Sequence, residues 1–142
     1  MYALKMKEEE LKNKVAKDFF QDFDTTKIIG NIDFCVKQEK NLFNDEKNFN
    51  KKSNSNTLLW AEAKAGNKKD IYESFIQLIL TIGKDRTYEK ELPPEYLGAF
   101  DAQKIAFLPF EQIRFIFSQS DFNWNVTPSN HNTKEFKQLY AF

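Results

Sequence analysis

The chain is poor in the residues that build several kinds of site. It has one cysteine, Cys35, and one histidine, His131. A lone cysteine excludes an internal disulfide framework and a cysteine-built zinc site. A lone histidine excludes a histidine-rich metal cage. A Cys35–His131 nucleophilic pair is formally open. However, Cys35 stands in an apolar, strand-like run, where a small buried residue is the ordinary reading. No glycine-rich phosphate loop is present. Neither charge sign is in excess, because 21 basic residues face 21 acidic ones. A free-standing nucleic-acid binder usually carries a basic surplus. Any such affinity must therefore come from a local patch or from another domain. No apolar run approaches the ~20 residues of a membrane span. The N-terminus is charged almost at once, at Lys5, Lys7, Glu8, Glu9 and Glu10. It lacks the apolar stretch of a signal peptide. These absences predict a cytoplasmic protein with no membrane partner.

What is present suits one small domain. The length of 142 residues allows a single core, and 15 phenylalanines supply much of its apolar surface. Glu8 to Asp22 reads as a helix, with Leu11, Val15 and Phe19 at helical spacing and Phe20 and Phe23 widening the face. Asp24-Thr25-Thr26 ends it as a turn. Lys27 to Val36 changes period and reads as strand, with Gly30-Asn31 as a turn or bulge. Ile32, Phe34 and Val36 fall on one face, Asp33 and Cys35 on the other. Gln38 to Asn56 is a Lys/Asn-rich excursion, read as a long exposed loop.

Thr57 to Ala65 is the most informative segment. As a strand it sends Leu59, Ala61, Ala63 and Ala65 to one face, small enough for a helix to pack closely over them. Leu58, Trp60, Glu62 and Lys64 take the other. Two charges in succession on an apolar strand need an explanation, because burying unpaired charge is costly. Asp70 can cap a following helix, Ile71 to Gly83, whose stripe is Ile71, Phe75, Leu78 and Ile82. Gly83 is its predicted stop. Asp85 to Gly98 reads as a connection broken by Pro93-Pro94. Lys104 to Leu108 reads as strand, Phe110 to Phe117 as helix, and Thr133 to Tyr140 as a short terminal helix. The expected fold is a three-layer α/β domain with a central mixed sheet of about four or five strands.

The order helix, Asp33 strand, Glu62–Lys64 strand, helix can hold a hard cation. Magnesium takes oxygen ligands, and a carboxylate on each of two adjacent strands can supply them. The backbone carbonyl of Ala63 could add a third. Lys64, beside Glu62 on the same face, could then reach an attacking water or a phosphate. A Glu-x-Lys triplet alone is weak evidence, since the chain also has Glu10-Leu-Lys12 and Glu135-Phe-Lys137. Only the middle one lies on an apolar strand between an Asp-bearing strand and an apolar helix. The competing account is an Asp33/Glu62–Lys64 salt bridge at a sheet end.

Ile32-Asp33, Trp60-Ala-Glu62-Ala-Lys64 and a helix bearing Gln77 together resemble the PD-(D/E)xK nuclease superfamily. More of the chain resembles the N-terminal endonuclease domain of type IIG restriction–modification enzymes. The matching segments are Leu97-Gly-Ala-Phe-Asp101, Lys104-Ile-Ala-Phe-Leu-Pro109 and Asp121-Phe-Asn-Trp-Asn-Val-Thr-Pro-Ser-Asn130. The resemblance implies a restriction-endonuclease-like fold. It also implies that Asp33 and Glu62 ligate Mg²⁺ (or Mn²⁺ as substitute), and that Lys64 and Gln77 complete the catalytic set. Ile32 stands where the family's named proline would be. Glu8, Glu9 or Glu10 could match an acidic residue of the family's first helix and join the metal site, Glu8 because it shares a face with Leu11 and Val15, or else Glu10; otherwise the triplet is an ordinary helix start. Gln77 could equally be an exposed helix polar residue. Lys68 and Lys69 could touch DNA phosphates or form a solvated turn. Trp60 reads as core, and Trp124 as part of a terminal interaction surface.

The implied activity is hydrolysis of DNA phosphodiesters in restriction of foreign DNA. The chain would be a single nuclease domain, part of a larger enzyme. Its partners would be double-stranded DNA, the methyltransferase and DNA-recognition regions of the same polypeptide, and a transient dimer for double-strand cleavage. A non-catalytic DNA-positioning or docking module with the same fold is the alternative. A repair or junction nuclease of the same superfamily is a third reading, and the later segments argue against it.

Overall fold

The structure is a computed structural model, and it describes residues 3–38, 57–66, 70–119 and 122–140. Residues 39–56, with the expected loop, and Lys68 and Lys69 fall outside the described residues.

Helix α1 covers Glu8–Phe19 and turns Leu11 and Val15 inward. Its apolar face is narrower than expected, because Phe19 is 49% exposed. The helix closes at Phe20, which leaves helical geometry with φ −130°. That break swings the Phe20 ring in against Phe34, at 6.0 Å between centroids. The expected Asp24 turn is present. Asp24 Oδ1 accepts from Thr26 N at 2.9 Å and from Thr26 Oγ1 at 2.6 Å. Phe23–Asp24 also forms a short strand, β1, which was not expected.

The β-rich run from Lys27 yields less strand than its composition predicts. Strand β2 is Phe34–Gln38. Before it, Gly30 takes φ +51°, and Ile32 N donates to Ile29 O at 3.1 Å. The Gly30-Asn31 turn therefore interrupts the run. Ile28 is left 87% exposed, while Ile29 and Ile32 fold beneath the sheet. Ile32 joins the cluster of Cys35, not that of Phe34 and Val36. Strand alternation begins only after it.

Strand β3 is Thr57–Ala63, β4 is Tyr96–Phe100 and β5 is Ile105–Pro109. Among the described residues the sheet order is β1-β2-β3-β4-β5. All neighbours run antiparallel except β3 and β4, which are parallel. A parallel pair needs a crossover. Here it is helix α2, Ile71–Asp85, followed by one turn of helix α3, Thr87–Lys90. Asp70 caps α2 as expected, its side chain accepting from Tyr72 N at 2.9 Å. The predicted stop does not hold. Gly83 lies inside the helix, which ends at Arg86 in the left-handed region, φ 52°. Gly83 is small for another reason: a Cβ there would overlap the Trp124 ring. The predicted connection Asp85–Gly98 also contains the start of β4. Helix α4, Phe110–Ile113, runs into a 3₁₀ turn, Arg114–Ser118. Helix α5, Lys134–Tyr140, is capped by Thr133 Oγ1, which accepts from Phe136 N at 3.1 Å.

The fold is thus α/β, with helices on both faces of a mixed sheet. On one face Leu11 and Val15 of α1 meet Phe34, Val36, Leu59, Ala61, Ala63 and Phe100. The small residues of β3 admit the helix closely, as their spacing predicts. On the other face α2, α4 and α5 enclose Cys35, Trp60, Leu97 and Ala99. No helix of the described residues is long and apolar enough to cross a membrane.

Candidate active site

Strands β2 and β3 pair with Phe34 opposite Ala61. Asp33, one residue before β2, therefore arrives beside the C-terminal end of β3. Its Oδ2 accepts from Ala63 N at 3.1 Å. Ala63 is the last residue of β3 and fully buried. This bond locks the Asp33 carboxylate against the strand that carries Glu62.

Glu62 alternates with Ala61 and Ala63, so it projects to the same face as Trp60, toward α2. Only 4% of it is exposed. Gln77 Nε2 donates to Glu62 Oε2 at 3.0 Å, and Lys64 Nζ lies 3.2 Å from the same oxygen. Burial pushes the Glu62 carboxyl up to about 8, and the nearby Asp33 carboxylate adds to the rise. Lys64 opposes the rise without overcoming it. Glu62 Oε2 is thus shared between the Gln77 amide and the Lys64 ammonium. Just past β3 the chain stays paired, since Lys64 N donates to Phe100 O at 3.0 Å. The lysine backbone is therefore fixed while its long side chain can reach.

Helix α1 closes the site from the other side. Glu8 is half-buried, whereas Glu9 and Glu10 are exposed. Burial and the Asp33 carboxylate raise the Glu8 carboxyl, with Lys64 and Lys12 opposing. Of the N-terminal acids, Glu8 is the one that shares the field of Asp33 and Lys64. Glu9 turns instead to Lys12, 2.5 Å away. Lys12 was not anticipated. Its Nζ donates to the backbone carbonyl of Asp33 at 3.3 Å. It stands one helical turn after Glu8, and that i, i+4 spacing was the available signal.

Other candidates lie elsewhere. Trp60 is core, edge-on to Phe110 at 6.3 Å. Trp124 is no open interaction surface, because it packs against Phe122 at 4.4 Å and Phe117 at 5.5 Å. Burial pushes the Cys35 thiol up to about 12, which disqualifies it as a nucleophile near neutral pH. His131 stacks on Phe136 at 4.2 Å and lies 3.4 Å from Glu73.

Among the described residues, no three of His, Cys, Asp and Glu form a ready metal-ligand cluster. The site offers two carboxylates, with Glu8 alongside. Magnesium is commonly held by one or two carboxylates and several waters, so this donor set fits a hard divalent cation. The electrostatics fit too. Asp33 raises both Glu62 and Glu8, a repulsion that a cation between them would relieve. Comparison of the chain with family models, curated proteins and solved structures finds no match.

Proposed function

We propose that the chain is a magnesium-dependent DNA endonuclease domain with a restriction-endonuclease-like fold of the PD-(D/E)xK kind. It would hydrolyse phosphodiester bonds of foreign DNA within a type IIG restriction–modification enzyme. One observation carries the reading. The carboxylates of Asp33 and Glu62, the Lys64 ammonium and the Gln77 amide meet at one end of β2 and β3. These residues come from three separate segments of chain, and their types suit phosphoryl chemistry.

Asp33, Glu62 and the Ala63 carbonyl would hold the ion. When bound, such an ion would supply Lewis-acid chemistry toward a phosphoryl oxygen and an attacking water. Lys64 supplies positive charge for the phosphate or orients the water. Gln77 Nε2 donates to Glu62 Oε2 and so orients the carboxyl group. Water adds to phosphorus as one P–O ester bond breaks, and the displaced oxygen takes up a proton. The balanced overall charge suits a domain brought to DNA by recognition and methyltransferase regions of the same polypeptide. Two such domains would pair transiently to cut both strands.

A second reading has one observation in its favour. Lys64 and Gln77 both satisfy the Glu62 carboxyl within the protein itself. The acids would then be a structural network in a DNA-positioning module. Calorimetric titration with Mn²⁺, on wild type and Glu62→Ala, separates the two. Saturable binding lost in the variant supports the nuclease. Absence of Mn²⁺ binding in wild type, with and without a DNA duplex, would favour the module.

A further inference from the structure

A polar groove of about 370 Å³ lies beside the site, between α1 and the segment from Thr25 to Cys35. Glu9, Lys12 and Asn13 form one wall, and Thr25, Thr26 and Lys27 contribute to the other. Asp33 also lines it. The groove therefore reaches Asp33 from the α1 side.

Lys12 is common to the groove and the site. An ammonium has three N–H donors. One bonds the Asp33 carbonyl at 3.3 Å and one reaches Glu9 at 2.5 Å, which leaves one over. The Lys12 side chain is only 18% exposed, whereas that of Glu9 is 81% exposed. The cation is thus held in place from below by the Asp33 carbonyl. Its carboxylate partner is solvated and contributes little to the pairing. A ligand anion can replace Glu9 without disturbing the bond to Asp33. Lys27, exposed on the far wall, adds a second positive charge.

We infer that this groove takes the DNA backbone next to the cleaved bond, and that Lys12 exchanges Glu9 for a non-bridging phosphate oxygen there. The inference rests on the nuclease reading and names the side from which substrate approaches. Lys12 is then a substrate-binding residue, and Glu9 is a solvated competitor that a phosphate can displace.

The test is fluorescence anisotropy of a labelled DNA duplex with the 142-residue chain, in Ca²⁺ and over a range of salt. Lys12→Ala is expected to weaken binding several-fold and to lower the slope of log K against log salt by about one. Lys12→Arg should restore most of both. Glu9→Gln, at an exposed position where folding is not at risk, should tighten binding at low salt. A residue that merely props Asp33 would leave the Glu9→Gln variant like wild type. Lys27→Ala should weaken binding less than Lys12→Ala. Unchanged affinity and slope in Lys12→Ala and Glu9→Gln, or no saturable binding by wild type, would overturn the inference. The Mn²⁺ titration at Glu62 is read independently. Metal binding without Lys12-dependent DNA binding sinks the groove alone. Lys12-dependent DNA binding without metal binding sinks the nuclease and leaves the groove standing.

Discussion

Helices α1 and α2 flank the same sheet, but they are held very differently. In α2 every residue from Ser74 to Gly83 is buried except Gln77. In α1 only Leu11 and Val15 are. The one polar interruption in α2 is the residue that reaches Glu62. On that side the carboxyl is fixed by an element embedded in the larger apolar cluster. On the other side Glu8 and Lys12 ride on a helix with two buried anchors. The difference teaches where rigidity and adjustment reside. Glu62 and Gln77 are held by a packed helix, whereas the α1 wall rests on two buried side chains.

That contrast can be broken most forcefully at its centre. Leu78 is fully buried in the α2 cluster. Leu78→Ala is expected to lower unfolding free energy by about 2–5 kcal/mol. Val15→Ala, which removes less from the thinner face, should cost roughly 1–2 kcal/mol. Urea denaturation followed by circular dichroism checks both, and equal losses would erase the asymmetry. Next in size is Gly83→Ala. The added methyl meets the Trp124 ring, so overpacking should cost about 1–3 kcal/mol despite alanine's better helix propensity. A gain in stability in the same urea assay would show that Trp124 moves aside freely.

A further effect, not smaller than these, is spread over pH. The Glu62 carboxyl is raised from 4.5 to about 8, so the folded protein holds this proton more tightly than the unfolded chain. The stabilisation is fully present below 4.5 and is lost as pH rises through about 8. Glu62→Gln is neutral throughout and should escape that loss. The stability of the variant relative to wild type should therefore grow between pH 5 and pH 8, without added metal. Parallel urea midpoints across that range would mean that Glu62 is not the strained acid of the site.

Much of this arrangement was legible in the sequence, for definite reasons. Alternation along Thr57 to Ala63 separated Trp60 and Glu62 from Leu59, Ala61 and Ala63. The apolar stripe of α2 and its Asp70 cap were equally plain. Strand β4 was hidden because Tyr96-Leu-Gly-Ala-Phe100 is short, follows Pro93-Pro94 and contains weak strand formers. It is a strand because β3 on one side and β5 on the other complete its hydrogen bonds. The run Lys27 to Asp33 erred the other way, since β-branched residues outvoted the Gly30-Asn31 turn. Gly83 looked like a helix stop because a glycine needed for packing and one needed for termination are identical in sequence. The convergence of Asp33, Glu62 and Lys64 followed from strand order. Of the three N-terminal acids, Glu8 shares the helical face of Leu11 and Val15, and it is Glu8 that meets the field of Asp33 and Lys64. Lys12 lies one helical turn on, at i, i+4 from Glu8.

The packing of Trp124 over Gly83 has an optical consequence. The chain has two tryptophans, and they sit in different settings. Trp60 is wholly enclosed beside Phe110, while Trp124 is half-buried on α2 between Phe117 and Phe122. Their intrinsic emission therefore divides into a shielded component and one open to quenchers. The first reports on the sheet beside Glu62. The second reports on whether the C-terminal segment remains seated on α2.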